Sequence, residues 1–378
     1  MAMDRLFQLM KEKNASDMFF AVNSPVHIKI NGNLIPINQH RLEPENILSL
    51  LSEIATPEQM AELERDNELN MGISVPNLGR FRLSAFRQRG TISAVFRFVP
   101  ANIPALSELG LPPVLAELIM EKRGLLLLVG ATGSGKSTTI ASMLAHRNAN
   151  SAGHILTLED PIEYLFKNKK SIVNQREIGS DAASFGTALR NSMRQAPDCI
   201  LIGEIRDKEA MAAAIAYAQS GHLVVATLHA NNSYNALNRI ISFYPIENRA
   251  ALLQDLSSAV RAIVSQRLVR SAAGGTRQAA VEIMVNTRYI ADLIEKGEIG
   301  QIKEAMEKSL SPGSQSFEEA LLRLVKDGLI TQEEALANAD SATNLLWLLN
   351  NGPENQQDAA HGQAEQPATT FTEFTLNT

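Results

Sequence analysis

The chain has a single cysteine, Cys199, in 378 residues. That excludes a disulfide framework and a cysteine-built zinc cluster. Its apolar neighbours Ile200, Leu201 and Ile202 mark Cys199 as a small core residue. No run of 18 apolar residues occurs, and no charged-then-apolar segment opens the chain. Neither a spanning helix nor a leader is expected, and the cytoplasm is the expected compartment. A basic excess is also missing: 35 Lys and Arg stand against 41 Asp and Glu, a net charge of −6. That argues against a nucleic-acid machine, although a local basic face can hide in an acidic chain. No internal repeat is visible. The rest is ordinary for a globular protein, 45% hydrophobic and 20% charged, and the length suits two domains with a core each.

The most informative stretch starts at Leu125. Leu125 to Val129 is an unbroken apolar run, as a strand buried on both faces of a parallel sheet requires. Gly130-Ala131-Thr132-Gly133-Ser134-Gly135-Lys136-Ser137 then fits G-x-x-x-x-G-K-S, and Thr138 follows. Glycines let such a loop wrap inward so that backbone N–H groups point at phosphate oxygens. Lys136 is placed to neutralise β/γ charge and Ser137 to hold Mg²⁺. A helix from about 138 sets the phosphates at its N-terminus. Strand, loop and helix in this order favour nucleotide binding over a glycine-rich packing turn, with ATP and Mg²⁺ as the expected ligands.

Before that stretch, Leu6, Leu9 and Met10 have helical spacing over residues 4–13, and residues 27–36 look like two strands around Asn31-Gly32. Thr56-Pro57-Glu58-Gln59 is a capping box, so helices fill roughly 44–65. Phe81, Leu83 and Ala85 alternate with Arg80, Arg82 and Ser84; Ile92, Ala94, Phe96 and Phe98 alternate with Ser93, Val95 and Arg97. Period two puts Arg82 and Arg97 on the non-core faces of these strands. Residues 1–100 thus read as a small α/β domain with a half-exposed sheet. Pro100, Pro104, Pro112 and Pro113 mark a linker over 101–113.

Residues 114–350 read as a doubly wound α/β domain with a helical C-terminal part. Strands are expected at 125–129, 154–158, 199–203 and 223–228, with helices from about 138, 184, 208 and 233. Leu252, Leu253, Leu256, Val260, Ile263 and Val264 suggest one long amphipathic helix over 247–271. A strand at 279–285 precedes further helices, two of them opened by capping boxes, Ser316 to Glu319 and Thr331 to Glu334. Residues 351–378 are polar and expected to be disordered.

Several side chains fall where nucleotide chemistry would need them. Cys199-Ile200-Leu201-Ile202-Gly203-Glu204 delivers a carboxylate at a strand's C-terminal end, where open α/β sheets bind ligands. Glu204 would reach Mg²⁺ through water. Glu159, Asp160 and Glu163 follow another strand, and such close acids repel unless a Mg²⁺–triphosphate sits among them. Glu163 is the candidate for polarising the attacking water, with Glu159 and Asp160 shaping the loop beside the metal; an acidic surface turn is the competing reading. His222 and His229 bracket an apolar strand at a spacing that rules out a metal pair. His229, at the C-terminal end, is the better placed to sense a γ-phosphate, against an ordinary structural histidine. For Arg80, Arg82, Arg87, Arg89 and Arg97 three readings compete: a solvated face, a nucleic-acid patch, or arginines donated to a γ-phosphate across a boundary. A donated arginine is worth roughly 10³–10⁵ in rate. Phe86 is the only aromatic neighbour on the exposed side, so the nucleic-acid patch ranks lowest.

Taken together, the blocks 130–138, Leu158 to Tyr164, Asn174 to Gly179, Leu189 to Asp198, Gly203 to Asp207 and Gly221 to His229 resemble the type II/IV secretion ATPase superfamily. Within it they resemble the pilus-retraction group of PilT and PilU, over roughly residues 1–345. The resemblance makes 157–164 the aspartate box, 199–204 the second nucleotide strand and 221–229 the histidine box. It implies a hexameric ring with a PAS-like N-terminal domain and a RecA-like motor domain. It also implies that Arg82 and Arg97 approach the γ-phosphate, with Arg123 a weaker candidate. A PilT-type retraction ATPase and an inner-membrane platform protein of PilC type are the implied partners, at the cytoplasmic base of the pilus. One cysteine rules out the assembly branch, which carries a four-cysteine zinc insert. The residues near 300, Ile302 to Ser309 and then Gln315 to Ala320, lack the Ala-Ile-Arg-type block of PilT and look like the accessory PilU branch. Three functions are weighed: an ATP-hydrolysing hexameric motor for pilus disassembly, a nucleotide-sensing binding module acting on a PilT-like ring, and a nucleic-acid translocase. The net charge disfavours the last.

Overall fold

The computed structural model describes residues 2–351 apart from 31, 77, 100–101 and 309–312. Residues 352–378 of the expected disordered tail, Asn31 of the hairpin turn, Pro100 of the linker and Ser309 lie outside the described residues, while Asn351 ends a helix.

Six strands build the N-terminal sheet: β1 (Asp17–Phe20), β2 (His27–Ile30), β3 (Asn33–Pro36), β4 (Glu68–Val75), β5 (Gly79–Gln88) and β6 (Thr91–Val99). Their order is β3-β2-β1-β6-β5-β4, every neighbour antiparallel. The alternation in β5 and β6 buries Phe81, Leu83, Ala85, Ile92, Ala94 and Phe96. Phe7 of the first helix, Ala2–Glu12, stacks on Phe81 at 4.2 Å between ring centroids and meets Phe96 edge-on at 5.7 Å. The opposite face carries Arg82 directly across from Arg97. Helices Pro44–Ser52 and Pro57–Asp66 occupy the expected region, the second opened by the Thr56–Gln59 capping box. Sequence reading passes over β4, although Leu69, Met71, Ile73 and Val75 alternate with polar residues and Gly72.

The second sheet has seven strands: β7 (Gly124–Val129), β8 (Gly153–Glu159), β9 (Ser171–Glu177), β10 (Cys199–Ile202), β11 (Leu223–Leu228), β12 (Val260–Arg270) and β13 (Arg277–Val285). The order is β13-β12-β7-β11-β10-β8-β9, parallel except for the β12–β13 pair. All of β7 is buried, as its unbroken apolar run requires. Helices Lys136–Asn150, Phe185–Ser192, Lys208–Gln219 and Ser233–Ser242 start close to their expected positions. The C-terminal ends of β7, β8, β10 and β11 therefore meet on one edge, and the loops that leave them build one crevice.

The long helix expected over 247–271 does not form as one element. The helix near 250 runs only over Arg249–Ala259, and Val260 begins strand β12. Leu252 and Leu256 are buried on the helix, while Val260, Ile263 and Val264 are buried in a strand paired with β7 on one side and β13 on the other. A buried strand is apolar on both faces, so a few of its residues will fit helical spacing by chance. β9 is also unforeseen, because this edge strand is mostly polar.

The C-terminal part is helical over Arg288–Lys296, Ile302–Lys308, Phe317–Lys326, Gln332–Asn338 and Ala342–Asn351. The Ser316–Glu319 capping box forms. Thr331 caps its helix too, but the Glu334 carboxylate accepts from the Arg270 amide at 3.0 Å instead of closing a box. Among the described residues no helix is long and apolar enough to cross a membrane.

Candidate nucleotide site

The loop between β7 and the helix Lys136–Asn150 is built around glycine. At Gly130 (φ 152°) a Cβ would stand 2.5 Å from Ser134 Oγ and 2.6 Å from the Gln266 carbonyl, so only glycine allows this close turn. The helix opens from Gly135 without a side-chain cap, which leaves its first amides for an anion. Ser134 Oγ is buried with no partner. Lys136 Nζ folds back to donate to the carbonyls of Gly130 (2.7 Å) and Ala131 (2.9 Å). Burial lowers the Lys136 pKa, and the nearby Glu204 charge opposes that shift. Uncapped amides, an orphan hydroxyl and a lysine bonded only to carbonyls fit a bound phosphate chain. Thr138 sits one turn on, its hydroxyl 2.8 Å from Tyr164 Oη. Thr139 Oγ1 donates to Gln266 Oε1 at 2.7 Å and ties the helix to β12.

Next to the loop lies a cavity of ≈ 430 Å³. Thr132, Gly133, Lys136 and Ser137 line it from the loop, Glu159, Asp160 and Glu163 from the end of β8, Glu204 from β10 and His229 from β11. The residues singled out by sequence thus converge from four strand ends. Glu204 accepts from Arg206 Nε at 2.7 Å and lies 3.2 Å from His229 Nε2. Asp160 stands 3.7 Å from Arg206. Glu159 is buried and accepts from Thr157 Oγ1 (2.6 Å), Gln175 Nε2 (3.2 Å) and the Glu163 amide (3.5 Å). Its pKa is raised by burial, which those hydrogen bonds only partly offset.

The arginines separate. Arg82 Nη1 donates to Glu163 Oε1 at 3.2 Å and so reaches the cavity rim from the N-terminal sheet. Arg97 is held by Asp17 at 2.8 Å and does not line the cavity. Arg123 precedes β7 and so stands at the opposite end of that strand from the loop. Among the described residues no three His, Cys, Asp or Glu side chains converge to hold a metal. Ser137 and Glu204 do face the same cavity, with the oxygen donors Mg²⁺ prefers. Sequence reading gives no role to Arg206, although a cation two residues from Glu204 is the natural counter-charge. It also misses Gln266, hidden by the misread helix.

The family model described as "Type II/IV secretion system protein" matches residues 2–335. The chain belongs to that family. It is 45% identical over 358 residues to the type IV pilus ATPase PilU of Pseudomonas aeruginosa, covering 95% of this chain and 94% of PilU. The "type IV pilus retractation ATPase PilT" of the same organism is 37% identical, with 91% of this chain and 100% of PilT covered. The crystal structure of the pilus retraction motor PilT with bound ADP superposes with a TM-score of 0.83 at 38% identity, over 89% of this chain and 96% of PilT. The chain is accordingly an ATPase with an N-terminal domain joined to a RecA-like domain.

Proposed function

We propose that this chain is a hexameric motor that hydrolyses ATP to power type IV pilus retraction, as the PilU-type accessory to a PilT-type ring. The observation that carries this reading is the convergence of Lys136, Ser137, Glu163, Glu204 and His229 on one cavity, with Arg82 at its rim. Likeness to PilU along 95% of the chain supports the pilus as the setting. Residues 1–100, 101–113 and 114–350 are taken as domain, linker and motor, with the platform protein at the inner membrane as the object turned.

Loop amides and Lys136 hold the phosphates. Glu163 polarises the attacking water, while His229, beside Glu204, senses the γ-phosphate. Mg²⁺, held by Ser137 and through water by Glu204, would neutralise charge on the β- and γ-oxygens. Arg82 moves from Glu163 to the γ-phosphate as ATP enters, and Arg97 follows on the same sheet face. Glu159 and Asp160 keep the acidic loop in shape.

Replacing the chromosomal gene by Glu204→Gln, which keeps the loop and Lys136 for nucleotide binding, and scoring pilus retraction and twitching separates this motor from a nucleotide-sensing module. The motor reading predicts loss of the contribution that the gene makes. Retraction at the wild-type level would leave the sensing module.

A further inference from the structure

We propose that Glu177 and Arg80 are positioning residues for Glu163, tying the water-polarising carboxylate to the seating of the N-terminal sheet. The proposal rests on the ATPase reading above, with Glu163 in that role. Glu177 ends β9, with its side chain only 4% exposed. A single oxygen, Oε2, accepts both from Arg80 Nη2 on β5 at 2.7 Å and from the backbone N–H of Ile162 at 3.0 Å. Ile162 is the residue immediately before Glu163, so this carboxylate pins the acidic loop one peptide from the group that matters.

Arg80 and Arg82 are two apart on one strand and share a face. Arg82 takes the Glu163 carboxylate directly, while Arg80 takes the loop's anchor. The two contacts are not equivalent. Arg82 and Glu163 are 32% and 48% exposed, so water and salt screen them and the pair is easily exchanged. Arg80 is 13% exposed, and separating it would strand a buried carboxylate. The sheltered pair is the fixed hinge point and the open pair is the movable one. Gly72 on β4 makes room for it: a Cβ there would fall 2.2 Å from Arg80 Nη2 and 2.8 Å from Glu177 Oε1.

Because Glu177 and Arg80 touch the reaction only through the loop, their loss should slow chemistry and spare binding. A misplacement of about 1 Å at a reacting group costs on the order of 10²-fold. In the full-length assembled protein, Glu177→Ala, Arg80→Gln and Gly72→Ala are expected to lower kcat for ATP roughly 10- to 100-fold, with KM within about threefold of wild type. Arg80→Lys, which keeps the charge and an ammonium able to donate to Glu177, should recover most of the rate. In a Glu163→Gln background the same substitutions should have little further effect, because they act through that side chain. Unchanged kcat in Arg80→Gln and Gly72→Ala, or losses that multiply with Glu163→Gln, would overturn the positioning role. If Glu177→Ala fails to fold, Arg80→Gln with its Arg80→Lys rescue carries the test alone. Wild-type protein assayed in parallel keeps the two readings apart. No turnover there refutes the ATPase reading itself; turnover there with unaffected variants refutes only the positioning.

Discussion

Glu204 touches an arginine and a histidine, and neither contact is buried enough to be fixed. Its carboxylate takes Arg206 at 2.7 Å and His229 at 3.2 Å, with Arg206 63% exposed. Such a carboxylate can exchange partners when a charged nucleotide arrives. Glu204→Gln should therefore bind ATP with near wild-type affinity and hydrolyse it about 10²–10³ times more slowly, the span ordinary for loss of one preorganised group that stabilises transition-state charge. Fluorescent-nucleotide titration and single-turnover phosphate release would read the two quantities separately; normal turnover would remove Glu204 from the chemistry. At this scale the sequence was most legible where the chemistry is contiguous. Gly130 to Ser137 declared itself because a phosphate cradle needs its amides in one unbroken turn. Arg82 could be placed on a face, but not against Glu163, 81 positions away. The same holds for Arg80 and Glu177, 97 apart, since period-two patterning shows which side a residue faces and not what stands opposite.

At the scale of elements, β7 is the part most tightly determined, apolar on both faces and flanked by β11 and β12. The nucleotide-loop helix is fastened to β12 by the Thr139–Gln266 hydrogen bond, both residues nearly inaccessible. Gln266→Ala would leave the Thr139 hydroxyl buried and unpaired, at a cost of about 1–3 kcal/mol. Urea unfolding followed by circular dichroism measures that loss; a midpoint equal to wild type would show that the strand does not brace the helix. This contact also explains why the misread helix mattered. Apolar periodicity separates a surface helix from a half-buried strand, but Val260, Ala262, Ile263 and Val264 are buried on both faces of the strand and carry little such contrast. Strands β4 and β9 escaped for different reasons: β4 alternates cleanly but is interrupted by Gly72, and β9 is an edge strand with polar residues.

Across the whole molecule, the two sheets meet over the acidic loop. Basic side chains of the N-terminal sheet, Arg80 and Arg82, close on Glu177 at the end of β9 and on Glu163 in the loop after β8. In a chain of net charge −6, Arg82 of that sheet reaches the cavity rim through Glu163. On the motor proposed above, a ring of such chains would let each ATP draw Arg82 inward, pull the N-terminal sheet about the sheltered Arg80–Glu177 pair, and pass that motion on as force. The loop from Gly130 is expected to bind Mg²⁺–ATP in a state that proceeds to hydrolysis, with Lys136 required for it. Isothermal calorimetry of the assembled protein with Mg²⁺–ATP, followed by phosphate release on the same sample, tests it most directly. Saturable binding and turnover are expected in the wild-type protein, with turnover lower by at least roughly 10²-fold in folded Lys136→Ala. No Mg²⁺–ATP binding by the folded wild-type assembly, or undiminished turnover in Lys136→Ala, would contradict it.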